Sequence, residues 1–336
     1  MAWVLVAVMA GPATAALRAQ ANRIVEHPCP PRLLNDHKLP FQEAEIACIA
    51  FISAALTSDA VEWGALDAVG TLRSLSTAAL SSTAMRPFRG TGWLEVGDRK
   101  LPKSVLYRGL LAFTLEASAR VQDDPAMHPL RDALAQSLVR DLEQGWLESF
   151  PGKRYPCDHA PAAAALALHG VRSVESARAA DQLVARIEAL LQPGYPSQVD
   201  ARGRSRGPVR ATAYGFTAAF LNATHPSAAA RFAEALFGRF CRVQSRLALA
   251  GCRERAEGPD PKDSAAGPQL AGFSVGATAL ALLAGIALPS QPMTRALRRS
   301  RSLLDGSLNA RDHPLASAIL AYADYGRPWR SKPSQR

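Results

Sequence analysis

The chain has 336 residues, 48% of them hydrophobic and 20% charged, with a net charge of +10. That hydrophobic share supports a sizeable core and excludes a disordered chain. Aromatics are only 7%, alanine is abundant and runs of Val, Ile and Thr are scarce, so the apolar content sits in helix formers and the fold class is all-α.

The N-terminal segment MAWVLVAVMAGPATAALRAQ carries one charge, Arg18, after an apolar run from Ala2 to Ala10 and an Ala13-Thr14-Ala15 pattern. Its length and small residues suit a secretory signal, but no basic residue precedes the run, which is also shorter than the roughly 20 residues that span a bilayer. Residues 1–21 are therefore expected to be a signal peptide, a short anchor or an N-terminal outer helix. The first two place the protein in the periplasm or on a membrane, and the third leaves it cytoplasmic.

From residue 22 to 330 a unit recurs: a loop rich in Pro, Gly and polar residues, an apolar helix of small residues, then an Arg-bearing amphipathic helix. The apolar helices start near Leu39, Ser104, Asp158, Pro208, Gly267 and Asp312, and amphipathic partners follow over 61–80, 128–148, 174–191, 226–247 and 291–308. A helix apolar on every side must be surrounded by protein, whereas one with a charged face belongs outside. The alternation predicts one domain, an (α/α)6 toroid of helical hairpins, with an open α-solenoid as the alternative. The stretch 85–103 is long and Gly/Pro-rich and is expected to form a short hairpin over the barrel mouth. Residues 331–336 are expected to be a disordered tail.

Parallel inner helices would pool their leading ends at one mouth, and those ends are polar. There stand Tyr107 and Arg108, then Tyr155, Cys157, Asp158 and His159, then Arg210 and Tyr214, then Asp263, and last Asp312 and His313. Asp158 suits an N-cap, with Pro161 in the first turn, and Asp312 before His313-Pro314 repeats the arrangement. Capping does not account for the neighbours of Asp158. A carboxylate beside an imidazole can serve as acid and base, so Asp158 and His159 are the catalytic candidates, with Asp263 as partner. Tyr107, Arg108, Tyr155, Cys157, Tyr214 and Glu254 are the candidate substrate-binding residues. Converging positive helix ends among Arg and Lys would favour an anionic group on the ligand.

The five cysteines, Cys29, Cys48, Cys157, Cys241 and Cys252, show no CxxC pair and no zinc-ligand spacing, so neither metal nor other cofactor is expected. Cys241 and Cys252 can close a small loop if the protein is exported, with Cys157 remaining a thiol; buried, unbridged cysteines are the other reading. The basic stretches at 202–210 and 295–302 lack interleaved aromatics and read as solvated faces rather than a nucleic-acid surface.

The runs Tyr155-Pro156-Cys157-Asp158, Tyr107-Arg108-Gly109 and Asp263-Ser264-Ala265-Ala266-Gly267-Pro268, followed by Gly272 to Thr278, resemble helix starts in bacterial α/α-toroid proteins of uncharacterised function, some of them similar to the linalool dehydratase-isomerase-like domain. The resemblance spans about residues 100–325. It implies a toroid of a class that includes glycoside hydrolases, polysaccharide lyases, sugar epimerases and terpene cyclases, and so does not select a reaction. The expected function is a hydrolase, lyase or isomerase acting on a glycan or hydroxylated lipid-like molecule. The rival reading is a non-catalytic envelope protein that holds an anionic ligand at the mouth.

Overall fold

The computed structural model describes residues 12–26, 44–63, 68–245, 249–261, 263, 266–267, 269–307, 314–326 and 329. The Ala2–Ala10 run, the Asp312-His313 pair and the tail 331–336 lie outside these residues, as does most of the first loop. The described helices are α1 Pro12–Glu26, α2 Ala44–Trp63, α3 Ala68–Ala79, α4 Ser82–Met85, α5 Val105–Val121, α6 His128–Leu142, α7 Ala160–His169, α8 Val174–Glu188, α9 Ala211–Leu221, α10 Pro226–Phe240, α11 Val275–Ala284, α12 Pro292–Ser307 and α13 Pro314–Tyr325. Three two-stranded antiparallel hairpins join them: β1 Trp93–Val96 with β2 Arg99–Pro102, β3 Cys241–Gln244 with β4 Leu249–Cys252, and β5 Gln269–Leu270 with β6 Phe273–Ser274.

Helices α2, α5, α7, α9, α11 and α13 each pack on the next, and α13 packs back on α2. This closes the ring and rules out the open solenoid. Burial follows sequence character: every residue of α7 from Ala160 to Leu166 is buried. By contrast, α8 buries Ser176, Ala180, Leu183, Val184 and Ile187 along one face and exposes Arg178, Asp181 and Gln182, as an outer helix must. Helix α1 lies in the outer layer against α2 and α3, burying Leu17, Ala21 and Ile24.

Glycines set the spacing of the inner ring. A Cβ on Gly109 of α5 would stand 2.8 Å from the Ala162 backbone nitrogen of α7, and one on Gly215 of α9 would stand 2.7 Å from Leu280 Cβ of α11. Backbones approach this closely only where a side chain is missing.

Three expectations need correction. The helix expected from Gly267 begins at Val275, because Gln269–Ser274 first turns a hairpin through Ala271 and Gly272, both at positive φ. The outer helix expected to reach 247 ends at Phe240, where β3 begins and pairs Cys241 with Cys252. The 93–102 hairpin forms, but its Gly97 tip lies against Ala133 of α6, beside the outer layer and not across the mouth.

The core runs down the ring axis as an aromatic column. Phe51 meets Phe216 and Phe220 at 5.9 and 5.2 Å, and Phe113 meets Phe220 edge-on at 5.0 Å and stacks on Trp329 at 5.4 Å. The Trp329 indole N–H donates to Ser58 Oγ at 2.8 Å. Since Ser58 lies late in α2, Trp329 fills the end of the ring where the inner helices finish, and a ligand entering the ring has the opposite end, where they start.

Candidate functional site

At the leading end of α7, Pro156–His159 forms a 3-10 turn. His159 is fully buried and holds both ring nitrogens on main chain: Nδ1 lies 3.0 Å from the Tyr155 carbonyl, and the Leu147 N–H donates to Nε2 at 3.1 Å. Trp146 packs edge-on at 4.9 Å. Burial lowers its pKa to about 4, so the ring is neutral, with the proton on Nδ1. The acid/base role expected for His159 is therefore corrected: neither nitrogen is available to a substrate, and the residue fastens the turn to the 146–148 strand of chain.

Asp158 is different. Its carboxylate does not cap α7; Oδ1 takes the Cys157 thiol at 3.5 Å. Burial pushes its pKa up to about 7, with smaller opposing pulls from the Ser149 hydroxyl and the Cys157 thiol. Cys157 and Tyr155 are half-buried, and Cys157 remains a thiol.

Three candidate binding residues turn away from the mouth. The Tyr107 hydroxyl donates to the Ala79 carbonyl of α3 at 3.0 Å. Arg108 is buried, pairs with Asp141 of α6 at 2.7 Å and donates to the Ser137 and Lys103 carbonyls. The Tyr214 hydroxyl accepts the Tyr195 N–H at 2.8 Å. All three tie the inner ring to its surroundings. Their residue types suggested ligand contacts; their directions, which sequence does not reveal, are structural.

A second polar cluster opens α9. Arg210 Nε donates to Glu254 Oε1 at 2.5 Å, and its NH2 donates to Asp263 Oδ1 at 2.8 Å. Thr212 Oγ1 also donates to Glu254 Oε1, at 2.6 Å, and the Ala266 N–H donates to Asp263 Oδ1 at 3.0 Å. Burial opposes the charge on Arg210, but Asp263 and Glu254 more than offset it and hold its pKa above the ordinary value. Glu254 is fully buried, and burial outweighs the guanidinium beside it, so its pKa is raised. Its Oε2 has no hydrogen-bond partner. Arg210 was expected at the mouth but given no role, and Thr212 was not singled out, although the Arg210-Ala-Thr212 helix start was visible.

The Pro156–His159 turn packs on α9, the helix that the second cluster opens. Below them Thr212 and Phe216, four residues apart on one face of α9, are half-buried, as is Gly276 on α11, whereas α5 is buried throughout Val105–Ala117. The mouth is thus a crater, open on the α9 and α11 side and floored by Phe216 against Phe51 and Phe220 at 5.9 and 4.9 Å. Among the described residues no group of three or more His, Cys, Asp or Glu could hold a metal, and no helix is long and apolar enough to cross a membrane.

No family profile and no curated protein matches the chain. Solved structures do. The GH76A alpha-1,6-mannanase from Salegentibacter sp. HEL1_6 superposes with a TM-score of 0.56 at 12% identity, covering 94% of this chain and 98% of that one. A second structure, described as a glycosidase, gives 0.52 at 13% identity over 93% and 96%. The fold is an α/α toroid. The comparisons lend nothing to the linalool dehydratase-isomerase part of the resemblance; what is shared with solved proteins is the toroid of glycosidases.

Proposed function

We propose that the protein is a glycan-cleaving toroid enzyme whose reaction takes place in the crater at the leading ends of α7 and α9. One observation carries the reading: two carboxyl groups meet α9 in different surroundings, Asp158 on the turn that packs on it and Asp263 on the Arg210 that leads into it. Asp158, shut away from water, keeps its proton to about pH 7. Asp263, held by the Arg210 guanidinium and the Ala266 N–H, has the surroundings of a carboxylate. Divergent environments of this kind assign an acid and a base. Asp158 protonates the departing glycosidic oxygen, and Asp263 acts as base or nucleophile on the opposite side of the anomeric carbon. His159 has no part in the step. The fold shared with structures described as a mannanase and a glycosidase supports a glycan substrate over a hydroxylated lipid.

The bridge between Cys241 and Cys252 and the disulfide-bonded state of Cys48 support an oxidising compartment. The reading therefore includes export from the reducing cytoplasm.

The test is release of reducing ends from a panel of polysaccharides, beginning with α-1,6-mannan. Asp158→Asn and Asp263→Asn are each expected to lower kcat by about 10²–10⁴-fold with KM within a few-fold, and the unaltered enzyme should lose kcat as pH rises through about 7, where Asp158 loses its proton. Full activity of Asp158→Asn sinks the assignment. A glycan that raises the melting temperature of the unaltered protein without being cleaved replaces the enzyme with the binding-protein reading.

A further inference from the structure

The basic stretch ahead of α9 folds into a ribbon. The Ser197 N–H donates to the Pro208 carbonyl at 2.9 Å and the Arg206 N–H to the Gln198 carbonyl at 2.8 Å, which pairs 196–199 with 205–209. The Val199 N–H donates to the Arg154 carbonyl at 2.9 Å and so ties the ribbon to the chain just ahead of the Pro156–His159 turn. Its returning arm leads directly into Arg210 at the start of α9. Gly203, at positive φ, turns the tip onto Trp146, where a Cβ would stand 2.7 Å from the indole Nε1. The ribbon therefore lies at the leading end of the ring, held to the chain that enters α7 and continuous with the chain that enters α9.

Its charge is one-sided. Between 196 and 210 the only acidic residue is Asp200, against Arg202, Arg204, Arg206 and Arg210, and Arg210 is held by Glu254 and Asp263. Asp200 Oδ1 accepts the Arg202 and Arg204 main-chain N–H groups at 2.9 and 3.0 Å, which fixes the tip. Oδ2 accepts Arg204 Nε at 2.7 Å and Arg206 NH2 at 3.3 Å. One carboxylate oxygen thus draws two guanidiniums together and offsets only one of their charges. Both side chains stay in solvent, 64% and 58% exposed, and their remaining N–H groups make no hydrogen bond among the described residues. Exposed ion pairs contribute only about 0–1 kcal/mol, so Oδ2 yields readily to a second anion, and a carboxylate, sulfate or phosphate offers several oxygens to two adjacent planar forks. A lone anion in so open a place is screened by salt, whereas charges repeated along a polymer add.

We propose that the 196–209 ribbon is an anion-binding subsite, in which Arg204 and Arg206 together receive the carboxylate, sulfate or phosphate of an acidic polysaccharide laid across the leading end of the ring. The proposal rests on the glycan reading above and deepens it by naming an acidic substrate class. The two arginines bind a sugar away from the bond that is cleaved, so they bear on affinity and not on the chemical step. Nucleic acid suits the ribbon less well, because residues 196–210 include no aromatic to stack on a base.

The experiment titrates the full chain with polymers paired so that they differ in charge alone: polygalacturonate and its methyl ester, dextran sulfate and dextran, phosphorylated and unmodified α-1,6-mannan, with duplex DNA as comparator. The acidic member of at least one pair should bind about 10-fold or more tightly than its neutral partner and should weaken as sodium chloride rises from about 50 to about 500 mM. Arg204→Gln combined with Arg206→Gln should remove that advantage. Arg298→Gln combined with Arg299→Gln, at two exposed positions of α12, lowers the net charge equally and should leave it in place. Where a polymer is cleaved, the ribbon variant should raise KM about 10-fold at unchanged kcat. Equal binding of acidic and neutral partners, equal loss in the two double variants, or DNA bound as tightly as the best acidic polysaccharide overturns the subsite and leaves the glycan reading standing. Absence of binding and cleavage with every polysaccharide removes both. The acidic and neutral pairs on the unaltered chain remain decisive even if the ribbon variant does not fold.

Discussion

Asp158 couples the chemistry of the mouth to the stability of the ring. Its folded pKa of about 7 lies above the ordinary 3.8, so the folded state binds the proton more tightly than the unfolded one. Stability is then fully present below about pH 4, falls as pH rises towards 7 and levels off above it. A shift of this size corresponds to at most about 4 kcal/mol. Asp158→Asn, which cannot ionise, should therefore be more stable than the unaltered protein in urea at pH 8 and no more stable at pH 4. An equal effect at both pH values would show that folding does not raise the Asp158 pKa. The same substitution is expected to lower kcat by about 10²–10⁴-fold, a trade of activity for stability found where function holds a group in an unfavourable setting. At this scale the sequence was a partial guide. The position of Asp158 just ahead of α7 was readable from the spacing of polar clusters, whereas Asp263 stands ahead of the Gln269–Ser274 hairpin and not at a helix start. That His159 spends both nitrogens on the main chain of Leu147 and Tyr155 was not readable, because partners 12 and 4 residues away in a loop leave no periodic trace.

Elements were more legible than side chains. The small-residue runs and their amphipathic partners recover the inner and outer helices between 105 and 307, because periodicity reports burial directly. Helix ends were missed where hairpins intervene: Gln269–Ser274 and Cys241–Cys252 are too short to show alternation, and their turns depend on positive φ at Ala271 and Gly272. Packing between elements gives a sharp expectation. Gly109→Ala gains helix propensity of about 1 kcal/mol, but its methyl would meet backbone atoms of Ala162 at 2.8 and 3.2 Å, which a rotamer change cannot relieve. Overpacking of this kind costs about 1–3 kcal/mol, so the variant should unfold at lower denaturant concentration. The control is Gly70→Ala on the outer helix α3, where a Cβ has no neighbour within 4 Å and the propensity gain should appear alone.

On the scale of the molecule, ring closure depends on contacts between the two ends of the chain. Helix α13 packs on α2, and Trp329 reaches Ser58, 271 residues away in sequence. Trp329→Ala should cost about 3–5 kcal/mol and open the far end of the aromatic column to water, seen as increased exchange of core amides in α2 and α5. A loss well under 1 kcal/mol would mean that the indole merely covers a ring that closes without it. These contacts also bear on the order of assembly. During synthesis every hairpin up to α12 can form with its sequence neighbours, but the wall between α11 and α2 has no occupant until α13 leaves the ribosome. Until then the flanks of α2 and α11 that α13 covers stay exposed, and exposed apolar surface of this kind is what makes unfinished chains prone to aggregate.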